Sequence, residues 1–65
     1  MGGLEELLEQ IRQDRGIDLS SYKPSFLARR LAVRLRARGC PDYGAYGALL
    51  QQEPGEYVPL LDALT

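Results

Sequence analysis

Apolar residues recur at helical spacing near the start of the chain, with glutamates filling the opposite side. The apolar set of this first stretch is Leu4, Leu7, Leu8 and Ile11. Its spacing of three and four residues is typical of an amphipathic α-helix. Gly16 follows at the point where a left-handed residue commonly ends a helix. The pattern therefore predicts a first helix over about residues 3–15.

Two further helices are predicted by their end signals. Pro24 suits a first helical turn, because its backbone angle is already helical and that turn needs no amide donor. The second helix runs from there to about Arg38, where Gly39 ends it. Asp42 is a good N-cap, since its side chain can accept a hydrogen bond from an exposed amide. A third helix is therefore predicted over about residues 43–52.

The sequence break at residues 53–55 separates a fourth helix, predicted from about Glu56 to the end of the chain. Pro59 is compatible with this helix only if it lies near the first turn.

Three apolar side chains are candidates to anchor the connection between the first two helices: Ile17, Leu19 and Tyr22. The predicted architecture is all-α, a small four-helix domain occupying residues 1–65.

The predicted core takes the central apolar positions of all four helices. Its members are Leu7, Leu8, Ile11, Leu27, Leu31, Leu35, Leu49, Leu50, Leu60 and Leu61. The three tyrosines at helical spacing, Tyr43, Tyr46 and Tyr57, are interpreted as packing residues. Gly44 and Gly47 lower the helix propensity of the third helix, and close packing between helices is the expected compensation.

Charge is distributed unevenly along the 65 residues, although the net charge is only −1. Residues 1–22 hold five acids and two bases, and residues 39–65 hold four acids and no base. Between them, residues 23–38 hold six bases and no acid: Lys23, Arg29, Arg30, Arg34, Arg36 and Arg38. A concentrated basic segment of this kind is the strongest charge signal in the chain.

A helical projection places Leu27, Leu31 and Leu35 on one core arc of the second helix. Beside that arc lies a row of Arg30, Arg34 and Arg38, and Arg29 and Arg36 share a second edge. Phe26, Val33 and Ala37 lie between the two arginine rows. Like charges one turn apart destabilise a helix slightly, and no acid on this helix offsets them. The absence of acids therefore suggests an anionic partner, although a solvated helix face is an equally weighted alternative.

Catalytic and metal-binding chemistry find no support in these residues. The chain has no histidine and one cysteine, Cys40, so neither a metal site nor an internal disulfide is expected. A single unpaired cysteine also favours a reduced, cytoplasmic location. No apolar run approaches the roughly 20 residues that span a bilayer, so membrane insertion is not expected. Catalytic, cofactor-binding and metal-binding residues are therefore all predicted to be absent.

In their order and spacing, several short motifs together resemble the N-terminal domain of the CheR family of chemotaxis receptor methyltransferases. They are GIDLSSYK at residues 16–23, LARRLAVRL at residues 27–35, the Gly39, Tyr43 and Tyr46 series, and LDALT at residues 61–65. The resemblance covers nearly the whole chain, from about Leu4 to Thr65. Each motif is weak alone, and their joint order carries the specificity.

The resemblance implies that a larger catalytic domain follows this one. In that family the larger domain binds S-adenosylmethionine and methylates glutamates on the cytoplasmic helices of chemoreceptors. The helical domain is implicated in recognising that region through its basic second helix, which carries over to Arg30, Arg34 and Arg36. The expected partners are therefore the methylation region of chemoreceptors and the domain's own catalytic domain. The 65-residue chain alone is not expected to bind the cofactor or to be catalytic.

Two other functions are compatible with an arginine-rich helix. The first is binding of DNA in a groove, which the negative net charge and the lack of Asn or Gln among the arginines disfavour. The second is a regulatory module for an anionic ligand such as a cyclic dinucleotide. For the receptor hypothesis, reversal of Arg30 and Arg34 to glutamate is expected to leave the helix content nearly unchanged, because both lie outside the core arc.

Overall fold

A computed structural model describes residues 3–65, and these residues form four α-helices joined by short connections. The helices are α1 (Leu4–Arg15), α2 (Pro24–Ala37), α3 (Tyr43–Gln52) and α4 (Tyr57–Leu64), with a 3-10 turn at Pro54–Glu56 before α4. No strand occurs among the described residues, which confirms the all-α prediction. No helix in this part of the chain is both long and apolar enough to cross a bilayer.

The helix ends follow the local signals in the sequence. Gly16 and Gly39 take positive φ angles of 69° and 68°, a conformation that glycine adopts without steric cost. The Asp42 carboxylate accepts a hydrogen bond of 2.8 Å from the Ala45 amide, so it caps α3 as predicted. Pro24 is the first residue of α2, as its fixed backbone angle indicates.

The start of α4 differs slightly from the prediction, because Glu56 belongs to the 3-10 turn rather than to the helix. α4 begins at Tyr57, which places Pro59 in its first turn, where a missing amide donor costs nothing. The turn brings the Glu56 side chain against α2, within hydrogen-bonding distance of Arg34 and Arg38.

The core is a single cluster to which all four helices contribute. Its fully buried members are Leu7, Ile11, Leu19, Leu27, Leu31, Tyr46, Leu50, Tyr57, Leu60 and Leu64. Burial of Leu7, Ile11, Leu27, Leu31, Leu50 and Leu60 confirms six of the ten predicted core positions. The tyrosine prediction is also confirmed, since Tyr46 and Tyr57 are buried and Tyr43 is half-buried.

Four predicted core leucines are only half-buried: Leu8, Leu35, Leu49 and Leu61. Each lies at the edge of its helix's apolar arc, which in so small a domain is not fully covered. Leu19 is buried as an anchor and Ile17 is half-buried, but Tyr22 is exposed. The proposed anchor role of Tyr22 is therefore wrong, and its ring instead lies 5.9 Å from the ring of Phe26.

α1 and α3 approach each other closely at Gly47, which is buried. The Gln10 side-chain amide donates a hydrogen bond of 2.8 Å to the Gly47 carbonyl. A methyl group at Gly47 would lie 2.8 Å from the Gln10 side-chain oxygen, so the side chain would have to move. Gly47 thus permits close packing as predicted, whereas Gly44 is exposed and the packing explanation does not apply to it.

Candidate partner-binding surface

The six bases of residues 23–38 divide into two groups in the structure. Arg34 and Arg38 pair with acids that lie outside α2. The other four form no ion pair with any acid among residues 3–65: Lys23, Arg29, Arg30 and Arg36. The basic segment therefore has an internal part, which stabilises the fold, and an external part, which is exposed to solvent.

The internal part is built around the carboxylate of Glu56, which is only 4% exposed. Arg34 donates from Nε and Nη2 to Oε2 of Glu56, at 3.0 and 2.7 Å. The Tyr46 hydroxyl donates to the same oxygen at 2.6 Å. Arg38 donates to Oε1 at 2.7 Å and, through its second terminal nitrogen, to exposed Glu53 at 3.0 Å. These bonds join α2, α3 and the 3-10 turn through one buried anion.

Burial by itself raises the pKa of Glu56, because a charged carboxylate is poorly solvated in the core. Hydrogen bonds from Tyr46, Arg34 and Arg38 favour the charged form and outweigh burial, so the net pKa lies below its ordinary value. The hydrogen bond to Glu56 also raises the pKa of Arg34. Burial, and then the bond to this carboxylate, raises the pKa of Tyr46 well above its ordinary value. Glu56 is thus a permanent anion in the folded domain at neutral pH.

The domain should therefore lose stability in acid. Because the folded-state pKa of Glu56 lies below its unfolded value, near 4.5, its contribution is fully present above that pH and is lost as the pH falls through the folded pKa. Thermal unfolding followed by circular dichroism from pH 7 to about pH 3 tests this expectation. The variant Glu53→Gln should show the same acid loss, since Glu53 is exposed. A melting temperature unchanged across this range would contradict it.

The position of Arg34 corrects one expectation from the sequence. Its side chain lies outside the apolar arc but retains only 20% of its accessible surface, because Glu56 holds it. Reversal of Arg34 to glutamate would place two carboxylates side by side. It would also remove a cation that balances the charge of Glu56, the acceptor of the Tyr46 hydrogen bond. The premise that Arg34 takes no part in holding the fold is therefore wrong, and we expect its reversal to destabilise the domain.

The external part occupies the solvent-facing side of α2. Arg29, Arg30 and Arg36 are all exposed there, and Lys23 precedes the first turn of the helix. The guanidinium of Arg30 lies 5.2 Å from the centre of the Phe26 ring, a distance at which a cation and an aromatic face attract. Val33 lies among these arginines and is 54% exposed. An anionic partner can therefore contact this side of α2 without breaking the ion pairs that join α2 to the rest of the domain.

A cleft of about 370 Å³ lies between the end of α1 and the start of α4, lined in part by Asp14, Arg15 and Tyr57. Both charged side chains are already used within the domain. Asp14 accepts a hydrogen bond of 2.7 Å from the Tyr57 hydroxyl, and Arg15 lies 4.6 Å from the centre of the Tyr57 ring. Burial and the bond to Asp14 raise the pKa of Tyr57 to about 12.

The fold and the basic helix together define a small all-α domain with an arginine-lined surface. Comparison with known proteins places it further: the chain belongs to the family described as "CheR methyltransferase, all-alpha domain", which matches residues 2–65. It is 40% identical over 57 residues to a chemotaxis protein methyltransferase of Klebsiella aerogenes. That alignment covers 85% of this chain and 20% of the Klebsiella protein. No solved structure matches the chain significantly.

Proposed function

We propose that this chain is the substrate-recognition domain of a cytoplasmic chemotaxis methyltransferase. In this proposal the catalytic domain follows residue 65, uses S-adenosylmethionine and methylates receptor glutamates. The domain contributes the exposed cations of α2, which contact the glutamate-rich methylation region of a chemoreceptor. Membership of the CheR family supports a methyltransferase as the whole protein.

The observation that carries the proposal is the set of exposed arginines without an internal acid: Arg29, Arg30 and Arg36. Guanidinium groups bind carboxylates through two parallel hydrogen bonds, which suits them to glutamate side chains. Exposed charges of this kind accelerate encounter and select partners more than they add affinity. Methylation neutralises a glutamate, so these arginines should hold the product less well than the substrate.

Reversal of Arg30 and Arg36 to glutamate tests this function in the full-length methyltransferase. We expect the rate of receptor methylation at low salt to fall by about ten-fold, because electrostatic attraction speeds association. The salt dependence of the rate should weaken as well, since exposed charges are screened over about 8–10 Å. Affinity for S-adenosylmethionine, measured by calorimetry, should be unchanged.

The matched control replaces Arg30 and Arg36 with lysine, which keeps a positive charge at both positions of α2. This control should lose much less activity, and circular dichroism should show folded protein in both cases. If the Arg30 and Arg36 variant methylates the receptor at the normal rate at low salt, these arginines are only a solvated helix face.

A further inference from the structure

The cleft between the end of α1 and the start of α4 combines an apolar floor with a charged rim. Leu50 and Tyr57 are nearly fully buried and form the floor, whereas the polar side chains around them are exposed. Its volume of about 370 Å³ is at the lower end for small-molecule pockets, so a ligand that fits it is small. The lining comes from α1, α3, the 3-10 turn and α4: Asp14, Arg15, Leu50, Gln51, Pro54 and Tyr57.

Two opposite charges lie in this cleft, and both contact the side chain of Tyr57. The Tyr57 hydroxyl donates to Oδ2 of Asp14 at 2.7 Å, and the Arg15 guanidinium lies 4.6 Å from the centre of the ring. Asp14 and Arg15 are not paired with each other, and neither forms an ion pair with any other group among residues 3–65. The ring therefore holds an anion and a cation near each other without letting them neutralise one another.

Each charged group keeps hydrogen-bonding capacity beyond these contacts. Asp14 accepts from Tyr57 through one carboxylate oxygen, and its second oxygen accepts no hydrogen bond from a side chain within residues 3–65. Arg15 has five N–H donors, of which one reaches the Pro54 carbonyl at 3.5 Å, a long distance for such a bond. Because the Tyr57 ring already orders both side chains, they lose less conformational entropy when they bind a ligand.

We propose that this cleft binds a free α-amino acid with an apolar side chain. Its ammonium group binds Asp14, its carboxylate binds Arg15, and its side chain lies against Leu50 and Pro54. A simple anion would be attracted by Arg15 and repelled by Asp14, and a simple cation would meet the reverse, whereas a zwitterion satisfies both groups. The inference goes beyond the proposed function and is independent of it, because it uses none of the arginines of α2.

Three related probes test the inference in an NMR titration of the isotope-labelled chain. L-leucine carries both charges, leucinamide lacks the carboxylate, and N-acetylleucine lacks the ammonium group. We expect L-leucine to bind with a Kd of about 1 mM, as is typical of so small a ligand, and to shift the amide signals of Asp14, Arg15 and Tyr57 most. Each analogue should bind about ten-fold more weakly, because one charged group of the cleft is left without its partner.

Two single variants separate the two charges. Arg15→Gln should remove the preference for L-leucine over leucinamide and keep the preference over N-acetylleucine. Asp14→Asn should do the opposite, since asparagine still accepts from the Tyr57 hydroxyl but carries no charge.

The matched controls are Arg12→Gln and Glu9→Gln, because these residues lie on the same helix and pair with each other outside the cleft. Both controls should keep both preferences, and circular dichroism should show all four variants folded. No saturable shift at about twenty times the expected Kd, equal affinity for the three probes, or preferences that survive Arg15→Gln and Asp14→Asn would each overturn the inference.

Discussion

Replacement of Glu56 by glutamine is expected to lower the free energy of unfolding by about 2–4 kcal/mol. The shape of the side chain is kept, but Arg34 and Arg38 lose their shared anion and Tyr46 keeps only a neutral acceptor. Removal of one member of a buried charge network is costly because the others remain desolvated. Arg34 and Arg38 are still partly exposed to solvent, so the expected loss of unfolding free energy is at the lower end of the range for buried charge networks. Since a domain of this size has about 3–5 kcal/mol in total, a large fraction should unfold.

Urea denaturation followed by circular dichroism measures the loss. Glu53→Gln is the matched control, because Glu53 pairs with Arg38 but is 55% exposed, and it should cost less than about 1 kcal/mol. A double-mutant cycle with Arg34→Gln should show strong coupling between positions 34 and 56. Equal stability of the Glu56 and Glu53 variants would show that the buried network does not hold α2 against the 3-10 turn.

Truncation of Leu31 to alanine is expected to cost about 2–5 kcal/mol. Leu31 is completely buried in the middle of α2, so the change removes apolar contacts and leaves a cavity. Alanine is a better helix former than leucine, so any loss must come from packing rather than from helix propensity. In a domain this small the variant should be largely unfolded at room temperature.

The control for Leu31 is Val33→Ala on the same helix, since Val33 is exposed and makes no core contact. That change should alter the free energy of unfolding by less than about 0.5 kcal/mol. The two melting curves, recorded by circular dichroism, show which face of α2 is packed in the core. If Leu31→Ala melts at the same temperature as the unchanged chain, the buried face of the helix has been assigned incorrectly.

Helix positions were predictable because their signals are local. Gly16, Pro24 and Asp42 act on the backbone within one turn, and each takes the predicted role. The apolar arcs were predictable for the same reason, since periodicity identifies which side of a helix is buried. It does not tell how far a neighbouring helix covers that side, which explains why Leu35 and Leu61 are only half-buried.

The division of the basic helix could not be predicted in this way. Glu56 reaches Arg34 and Arg38 across 22 and 18 residues of sequence, through a turn whose direction depends on the packing of α4. Within α2 the helical projection separates the arginines into two rows, but it does not show which of them meet an acid, because no acid lies on the helix itself. One weak signal was present in the sequence. Glu56 directly follows Pro54 and Gly55, where the chain is expected to turn, and such a turn can bring the next side chain against an earlier helix.

The internal pairing of Arg34 and Arg38 changes what can be learned from a peptide that contains only α2. Cut from the domain, residues 23–38 would display all six cations at once, whereas the folded domain leaves four of them without an acid partner among residues 3–65. The excised helix would therefore behave as a stronger and less selective polycation than the surface it came from. Any competitor peptide designed to mimic this surface should keep positions 34 and 38 neutral and retain Arg29, Arg30 and Arg36.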